Sequence, residues 1–289
     1  MNQINSREVS HHTMPIINVL VSTPRSLIGT IVRNASLIFQ MTKREVVGRY
    51  RGSVFGLAWS FFNPLLMLAV YSFVFSFVFK SRWSGDVDQG HARFAMMLFV
   101  GMTVHGLFAE CINRAPHLIL NNPSYVKKIV FPLEILPVVA LLSAFFHTVV
   151  SLLVLLIGFV LIRHYVFWTV VFLPIVLLPL MFVSLGVGWF LAATGVFIRD
   201  IGQITGLLTT VLMFLSPVFY PASSLPEKYR FWLELNPLTF FIEQSRGVLL
   251  EGQVPNFALL GMYLIGGFVV ACAGFVCFQS ARRGFADVL

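Results

Sequence analysis

Charge is scarce in this chain of 289 residues, because only 11% of them are Asp, Glu, Lys or Arg while 57% are hydrophobic. Soluble domains carry about 25% charged residues, so a water-exposed surface over most of the chain is excluded. A membrane-spanning helix needs about 20 mostly apolar residues. Six stretches contain no charged residue, and the second approaches that length when extended to Ile112: residues 55–79, 94–109, 135–162, 165–198, 201–226 and 252–281. The sequence therefore predicts an all-α membrane protein with six transmembrane helices.

Cysteine and catalytic motifs are scarce as well. The three cysteines, Cys111, Cys272 and Cys277, are too few and too poorly spaced for a metal site or a disulfide framework. No HExxH motif, GxSxG motif or intramembrane pair of carboxylates is present, so an enzyme is poorly supported and we predict no catalytic or metal-binding residue. The chain also lacks the Gly-Lys dipeptide of a Walker A loop, so another subunit must supply any ATP-driven work.

Positive charge is unevenly distributed over the connections between the predicted spans. With six spans both termini lie on one side, and that side holds thirteen of the twenty Lys and Arg residues, whereas the acidic residues divide equally. The positive-inside rule then places both termini in the cytoplasm. The basic excess therefore indicates topology and attraction to membrane lipids, and we predict no nucleic-acid partner. Residues 1–23 lack a signal-peptide core and are expected to form a flexible segment before an uncleaved first span.

An amphipathic helix is predicted over residues 24–53, immediately before the transmembrane domain of residues 54–281. Its apolar residues recur at three- and four-residue steps, which is typical of a helix with one apolar face. Because a spanning helix begins directly after Arg51, a helix lying in the cytoplasmic interface is favoured over an ordinary soluble helix. Arg44, Arg49 and Arg51 could attract an anionic lipid headgroup, or they could simply anchor the chain by the positive-inside rule.

A few polar residues fall inside the predicted second and third spans. Glu110 and Arg114 are four residues apart, so an ion pair near the cytoplasmic end is available. A structural pair is favoured over a proton relay, because a relay usually needs acidic or His residues on several facing helices. His105 is a further candidate on the second span, and His147 is interpreted as a core histidine.

Two polar stripes follow single helical faces. A helix face that meets lipid does not need polar side chains. The polar faces of the first and fifth spans should therefore contact other helices or a lumen. These two alternatives remain equal on the sequence. The stripe residues are Ser60, Asn63, Met67 and Tyr71, following Gly56, on the first span, and Thr205, Thr209, Met213, Ser216 and Tyr220 on the fifth.

Several motifs, in order and with matching spacing, resemble those of ABC-2 type polysaccharide export permeases. The likeness covers roughly residues 27–281. One position departs from it: Leu133 stands where the family usually has the Arg of a Phe-Pro-Arg-Glu pattern. The motifs are KREVVGRYRGS at 43–53, GLAW at 56–59, NPL at 63–65, KKIVFPLEILP at 127–137, RDIGQ at 199–203, LSPVFYP at 215–221 and NPLT at 236–239.

The resemblance implies a homodimer of six-span subunits with two copies of a cytoplasmic ATP-binding subunit. That partner would hold ATP and Mg, so no cofactor is expected in this chain. A coupling helix near residues 121–130 would dock on the partner, helices within 221–253 would form an outer gate, and 282–289 would be a cytoplasmic tail. The first and fifth spans would border the translocation path, matching the two stripes. The coupling residues would be Asn122, Pro123, Ser124, Tyr125, Lys127 and Lys128.

The expected function is export of lipid-linked polysaccharide, with undecaprenyl diphosphate-linked O-antigen as the favoured cargo, across the bacterial inner membrane. An ABC-2 type exporter of a small hydrophobic molecule or lipid is the alternative. A membrane-embedded glycan-processing enzyme is a third alternative, from a different class of protein.

Overall fold

The computed structural model of the chain describes residues 16–74, 90–127, 131–221 and 235–288, together with positions 226, 228, 231 and 233. This described part is helical and contains no strand. A π-helical turn occupies Gly247–Glu251. The helices are α1 (Ile16–Arg33), α2 (Ala35–Arg49), α3 (Trp59–Phe73), α4 (Gly90–Arg114), α5 (Pro123–Val126), α6 (Ile135–Arg163), α7 (Leu173–Phe197), α8 (Ile201–Leu215), α9 (Pro237–Arg246), α10 (Phe257–Ala281) and α11 (Phe285–Val288).

Five segments of the described chain are long and apolar enough to cross a membrane. They correspond to the first, second, third, fourth and sixth predicted spans, so the chain is a multi-pass membrane protein. Residues 75–79, the end of the predicted first span, lie outside the described residues. The five segments are Gly56–Phe73, Arg93–His117, Ile135–Arg163, Trp168–Phe197 and Phe257–Val288.

The fifth predicted span differs from the expectation of one continuous helix. Its helix, α8, has 15 residues, which at 1.5 Å per residue gives about 22 Å, less than the hydrocarbon thickness of about 30 Å. Pro217 disfavours helical backbone at the residue before it, and Ser216 is accordingly extended with φ −100° and ψ 154°. Within the run 201–226, a short helix is therefore followed by non-helical chain at residues 216–221.

The segment before the first span is two helices rather than one. The first, α1, begins at Ile16, inside the segment that we expected to be flexible, and residues 1–15 lie outside the described residues. The break between α1 and α2 falls at Asn34, whose side-chain Nδ2 donates to the carbonyl of Thr30 at 2.8 Å. Ile38 and Val46 of α2 are buried, and α2 packs on α6.

The most extensive helix contact in the described structure joins α7 and α10. Small residues allow their backbones to touch, as is common between membrane helices. A Cβ added at Gly274 would collide with the carbonyl oxygen of Gly186, and a Cβ at Gly186 would collide with the carbonyl of Val270. These two spans therefore form the most tightly joined part of the fold. Trp189 of α7 and Phe275 of α10 are also in edge-to-face contact, with ring centroids 5.2 Å apart.

Candidate coupling and translocation site

Four charged side chains join α2 to the end of α4, and we call them the α2 charge cluster: Glu45, Arg49, Glu110 and Arg114. Arg49 Nη2 donates to Glu110 Oε1 at 2.5 Å, and Arg114 Nη1 donates to the same oxygen at 3.3 Å. Arg114 also donates to Glu45 through Nη2. The ion pair of Glu110 with Arg114 anticipated from their spacing is therefore present, within a chain of pairs that reaches back to α2.

Tyr50 and His147 extend this contact to α6. The Tyr50 hydroxyl lies 3.4 Å from His147 Nδ1, and the two rings meet edge to face with centroids 5.9 Å apart. Burial raises the pKa of the Tyr50 hydroxyl above its ordinary value of 10.0, against the opposing effect of Arg49. The hydroxyl therefore stays protonated at physiological pH. His147, which we interpreted as a core histidine, has a partner on the segment that follows α2, although its Nε2 atom is buried with no hydrogen-bond partner in the described part of the chain.

A cavity of about 370 Å³ lies between α3, α4 and α6. Asn63, Met67 and Tyr71 of the first polar stripe line it from α3, and Glu110 and His147 line it from α4 and α6. Ser60, the remaining side chain of that stripe, is buried and donates to the carbonyl of Leu57 at 2.7 Å. Three of the four predicted side chains on the first span thus line a cavity, which the α2 charge cluster borders.

The second polar stripe packs differently. Thr205 and Thr209 are 2% and 3% exposed. The Thr209 hydroxyl lies 3.2 Å from Asn113 Oδ1, and His105 Nε2 lies 3.0 Å from the Thr209 carbonyl. These contacts join α8 to α4 and correspond to the helix-packing alternative for the two threonines.

The end of the second stripe lies near the break after α8. The Ser216 hydroxyl donates to the carbonyl of Leu212 at 2.6 Å and accepts from Asn236 Nδ2 at 2.8 Å. Met213 is half-buried, and the Tyr220 hydroxyl donates to the carbonyl of Phe214 at 3.2 Å. A channel-lining role for these residues stays a prediction.

The predicted coupling segment forms the short helix α5, with Pro123 at its first position. Tyr125 stacks on Phe131, with ring centroids 4.2 Å apart and planes 14° from parallel. Arg44 Nη2 donates to the Tyr125 hydroxyl at 3.2 Å, so α5 touches α2. Asn122 Nδ2 donates to the carbonyl of Leu118 at 2.9 Å and its side chain does not cap α5.

Of the other predicted coupling residues, three are exposed and one lies outside the described residues. Pro123, Ser124 and Lys127 are exposed, and Lys128 lies outside the described residues. Leu133, where the family pattern differs, is buried at 4% exposure. Its neighbour Glu134 accepts from Arg282 Nη1 at 2.9 Å, which ties the coupling region to the C-terminal tail.

The three predicted headgroup arginines have different surroundings. Arg44 contacts Tyr125 and Arg49 pairs with Glu110. Arg51 is exposed and, within the described part of the chain, forms no ion pair. Headgroup attraction stays a prediction for all three, and Arg51 has the least competition for its charge.

A buried arginine, which sequence inspection missed, holds the predicted gate segment in place. Arg246 is 2% exposed. Its guanidinium donates to three backbone carbonyls: Nε to Met97 at 2.9 Å, Nη1 to Pro217 at 2.6 Å and Nη2 to Val218 at 2.9 Å. Non-helical backbone is tolerated at membrane depth only where its polar groups find partners. We call this arrangement the Arg246 junction, and it satisfies the carbonyls that the break after α8 releases.

Comparison with known proteins agrees with this architecture. Residues 36–250 match the model of the ABC-2 type transporter family. The chain belongs to this family. The expectation of a transport protein rather than an enzyme is thereby confirmed, as is the resemblance that the ordered motifs indicated.

Curated relatives of this ABC-2 transporter align over most of its length. The O-antigen export system permease protein RfbA of Myxococcus xanthus is 27% identical over 263 residues, which cover 90% of this chain and 98% of the relative. An RfbA permease of Klebsiella pneumoniae is 25% identical, covering 88% and 95%. The polysialic acid transport protein KpsM of Escherichia coli is 22% identical, covering 83% and 91%.

Proposed function

We propose that this chain is the membrane subunit of an ATP-driven exporter that moves lipid-linked polysaccharide, with O-antigen on undecaprenyl diphosphate as the expected cargo. The relatives that align over nearly their whole length are named for O-antigen export and polysialic acid transport. The observation that carries the proposal is the cavity between α3, α4 and α6, because the α2 charge cluster borders it. A movement of α2 would therefore reach the wall of the cavity directly.

A homodimer is the proposed working form. In the single chain α3 is hardly covered, and its apolar residues Phe61, Phe62 and Leu65 are 40–45% exposed. A second copy, or lipid, would cover this face. In the proposed dimer the two α3 helices and the two α8 helices would border the path of the polymer, with Asn63, Met67 and Tyr71 facing it.

The proposed topology has six crossings of the inner membrane with both termini in the cytoplasm. The fifth crossing would consist of α8 and the non-helical segment after it, which the Arg246 junction stabilises. The proposed outer gate follows, and it includes α9 and the turn Gly247–Glu251. The positive-inside distribution of Lys and Arg supports this orientation.

Coupling to ATP is assigned to α5 and α2. The exposed residues Pro123, Ser124 and Lys127 would dock on a separate ATP-binding subunit. Tyr125 would pass the motion to Arg44 on α2, and the α2 charge cluster would pass it to α4. ATP and Mg would be held by the partner, two copies of which would serve one dimer.

Depletion of this chain in its host tests the proposal. We expect full-length lipid-linked polymer to accumulate on the cytoplasmic face. Export should return only when both this chain and a functional ATP-binding subunit are supplied. An ATP-binding subunit that cannot hydrolyse ATP is the matched control, because it leaves the assembly intact.

Two other results would contradict polysaccharide export. Unchanged polymer at the cell surface would remove this function and favour an exporter of a small hydrophobic molecule. Polymer that is shortened or absent inside the cell would favour a glycan-processing enzyme.

A further inference from the structure

A second cavity, of about 480 Å³, lies at the opposite ends of α4 and α6 from the α2 charge cluster, and we call it the span-end pocket. Arg93 is the first residue of one apolar span and Arg163 the last residue of another. The span ending at Arg163 has 29 residues, about 43 Å of helix, which exceeds the hydrocarbon thickness of about 30 Å. The pocket therefore lies at the level of the lipid headgroups, whichever way the chain is oriented.

The charges of the span-end pocket are unbalanced toward positive. Arg93 Nη2 donates to Glu251 Oε1 at 3.0 Å, while Arg93 Nε is buried with no hydrogen-bond partner among the residues that the structure describes. Arg163 also lines the pocket, half-exposed, and makes no ion pair within the described residues. Two guanidinium groups thus face one carboxylate. Unused guanidinium donors are suited to phosphate and carboxylate oxygens.

Beside these charges and Gln253, the pocket is lined by apolar and aromatic side chains. Phe159, Tyr165 and Phe167 form a cluster of three rings whose centroids are 5.1–6.0 Å apart. Ile162 also lines the pocket and is 54% exposed on the flank of α6. An anion that enters here therefore has an apolar surface directly beside it, which suits a phosphate that carries hydrocarbon chains more than a free ion.

We propose that the span-end pocket binds the phosphate of a lipid headgroup, with Arg163 and Arg93 as the anion-binding residues. The aromatic cluster would contact the first carbons of the lipid. Glu251 opposes binding by occupying Arg93, so it sets the affinity of the site. This site goes beyond the proposed export function and does not depend on which cargo is exported.

Native mass spectrometry of the full-length chain, released from phosphatidylcholine nanodiscs that contain phosphatidylglycerol, tests the site. We expect Arg163→Gln to weaken phosphatidylglycerol retention about tenfold, because the variant loses one charge-assisted hydrogen bond to the phosphate. Arg163→Lys should retain most of the binding. Glu251→Gln should strengthen it, because the variant releases Arg93 and removes a repelling charge.

The matched control is Arg199→Gln, which removes an exposed arginine in the turn between α7 and α8. Equal losses in the Arg163 and Arg199 variants would overturn the proposal, since retention would then reflect general surface charge. Weaker binding in Glu251→Gln would overturn it too, and this variant keeps the test valid if Arg163→Gln fails to fold. Inorganic phosphate that binds as well in pure phosphatidylcholine would reassign the site to a soluble anion and overturn the lipid assignment.

Discussion

The α2 charge cluster and the Arg246 junction both join separate elements through arginine, but they do so in different environments. In the cluster, the side chains of Arg49, Glu110 and Arg114 are 42%, 22% and 30% exposed, and the arginines pair with carboxylates. In the junction, Arg246 is 2% exposed and donates to three buried backbone carbonyls. It also pairs with Glu243, 3.0 Å from its Nη1 and 39% exposed. Water can replace the partners in the first arrangement, whereas the three carbonyl contacts in the second are buried.

This difference indicates two kinds of contact with different uses. Exposed ion pairs contribute about 0–1 kcal/mol each, so they can separate and re-form during a transport cycle. A buried charge whose partners are removed costs about 3–5 kcal/mol, so the junction has to remain closed while the protein is folded. The molecule therefore combines a separable contact at α2 with a fixed one at the break after α8.

The largest effect is expected from Arg246→Met. The change leaves the carbonyls of Met97, Pro217 and Val218 without their donor, so the free energy of unfolding should fall by about 3–5 kcal/mol. Denaturant titration in detergent micelles measures it. Arg246→Lys, with a single nitrogen, should give an intermediate loss. A stability equal to that of the unmodified chain in Arg246→Met would remove the distinction between the two contacts.

A smaller loss is expected when the space around the junction is filled. A Cβ at Gly101 would lie 2.9 Å from Arg246 Nη2 and 3.2 Å from the Val218 Cα, so Gly101→Ala should destabilise the chain by about 1–3 kcal/mol. The control is Gly106→Ala on the same helix, where an added Cβ meets nothing within 4 Å. That variant should be neutral or more stable. Equal effects of the two would show that Arg246 is not tightly enclosed.

For the α2 charge cluster we expect a coupling energy of only about 0.5–1 kcal/mol between Arg49→Gln and Glu110→Gln in a double-mutant cycle. The same cycle with Arg51→Gln should be additive, because Arg51 is exposed and no ion pair joins it to another described residue. A coupling energy comparable to the Arg246 loss would mean that the cluster is as fixed as the junction.

The smallest change in stability, with the largest change in function, is expected from Tyr125→Ala combined with Lys127→Glu. Both residues lie on or beside a four-residue helix at the surface, so the free energy of unfolding should change by at most about 1 kcal/mol. Export should nevertheless stop, as measured by lipid-linked polymer on the cytoplasmic face. Tyr125→Phe, which keeps the stacking on Phe131 and removes the hydroxyl, should export at an intermediate rate. Normal export by the double variant would refute the coupling role.

Much of the fold could be predicted from the sequence, because a charge-free apolar run of about 20 or more residues is typical of a membrane-spanning helix. The third predicted span, residues 135–162, and the helix Ile135–Arg163 agree to within one residue. The fifth span was less predictable. Apolar composition indicates which side chains tolerate lipid. The end of α8 depends instead on Pro217 and on the Arg246 guanidinium, which donates to the carbonyls of Pro217 and Val218.

The candidate site divides in the same way. Asn63, Met67 and Tyr71 followed from helical spacing on one span, and so did the ion pair of Glu110 with Arg114. The role of Arg246 could not be predicted, since backbone carbonyls leave no signal in the choice of residue. The α2 charge cluster did leave a signal in the sequence, because Glu45 and Arg49 are four residues apart on α2, as Glu110 and Arg114 are on α4.

The glycine contact between α7 and α10 has a consequence for how the protein can change shape. Where the Gly274 position meets the backbone of Gly186, neither helix can slide or rotate without side chains of a neighbouring turn entering the space that the glycines leave open. The two spans are thus a single rigid body. Any widening during transport has to take place on the other flank, where α3 is almost uncovered and water can reach the charged contacts of α2.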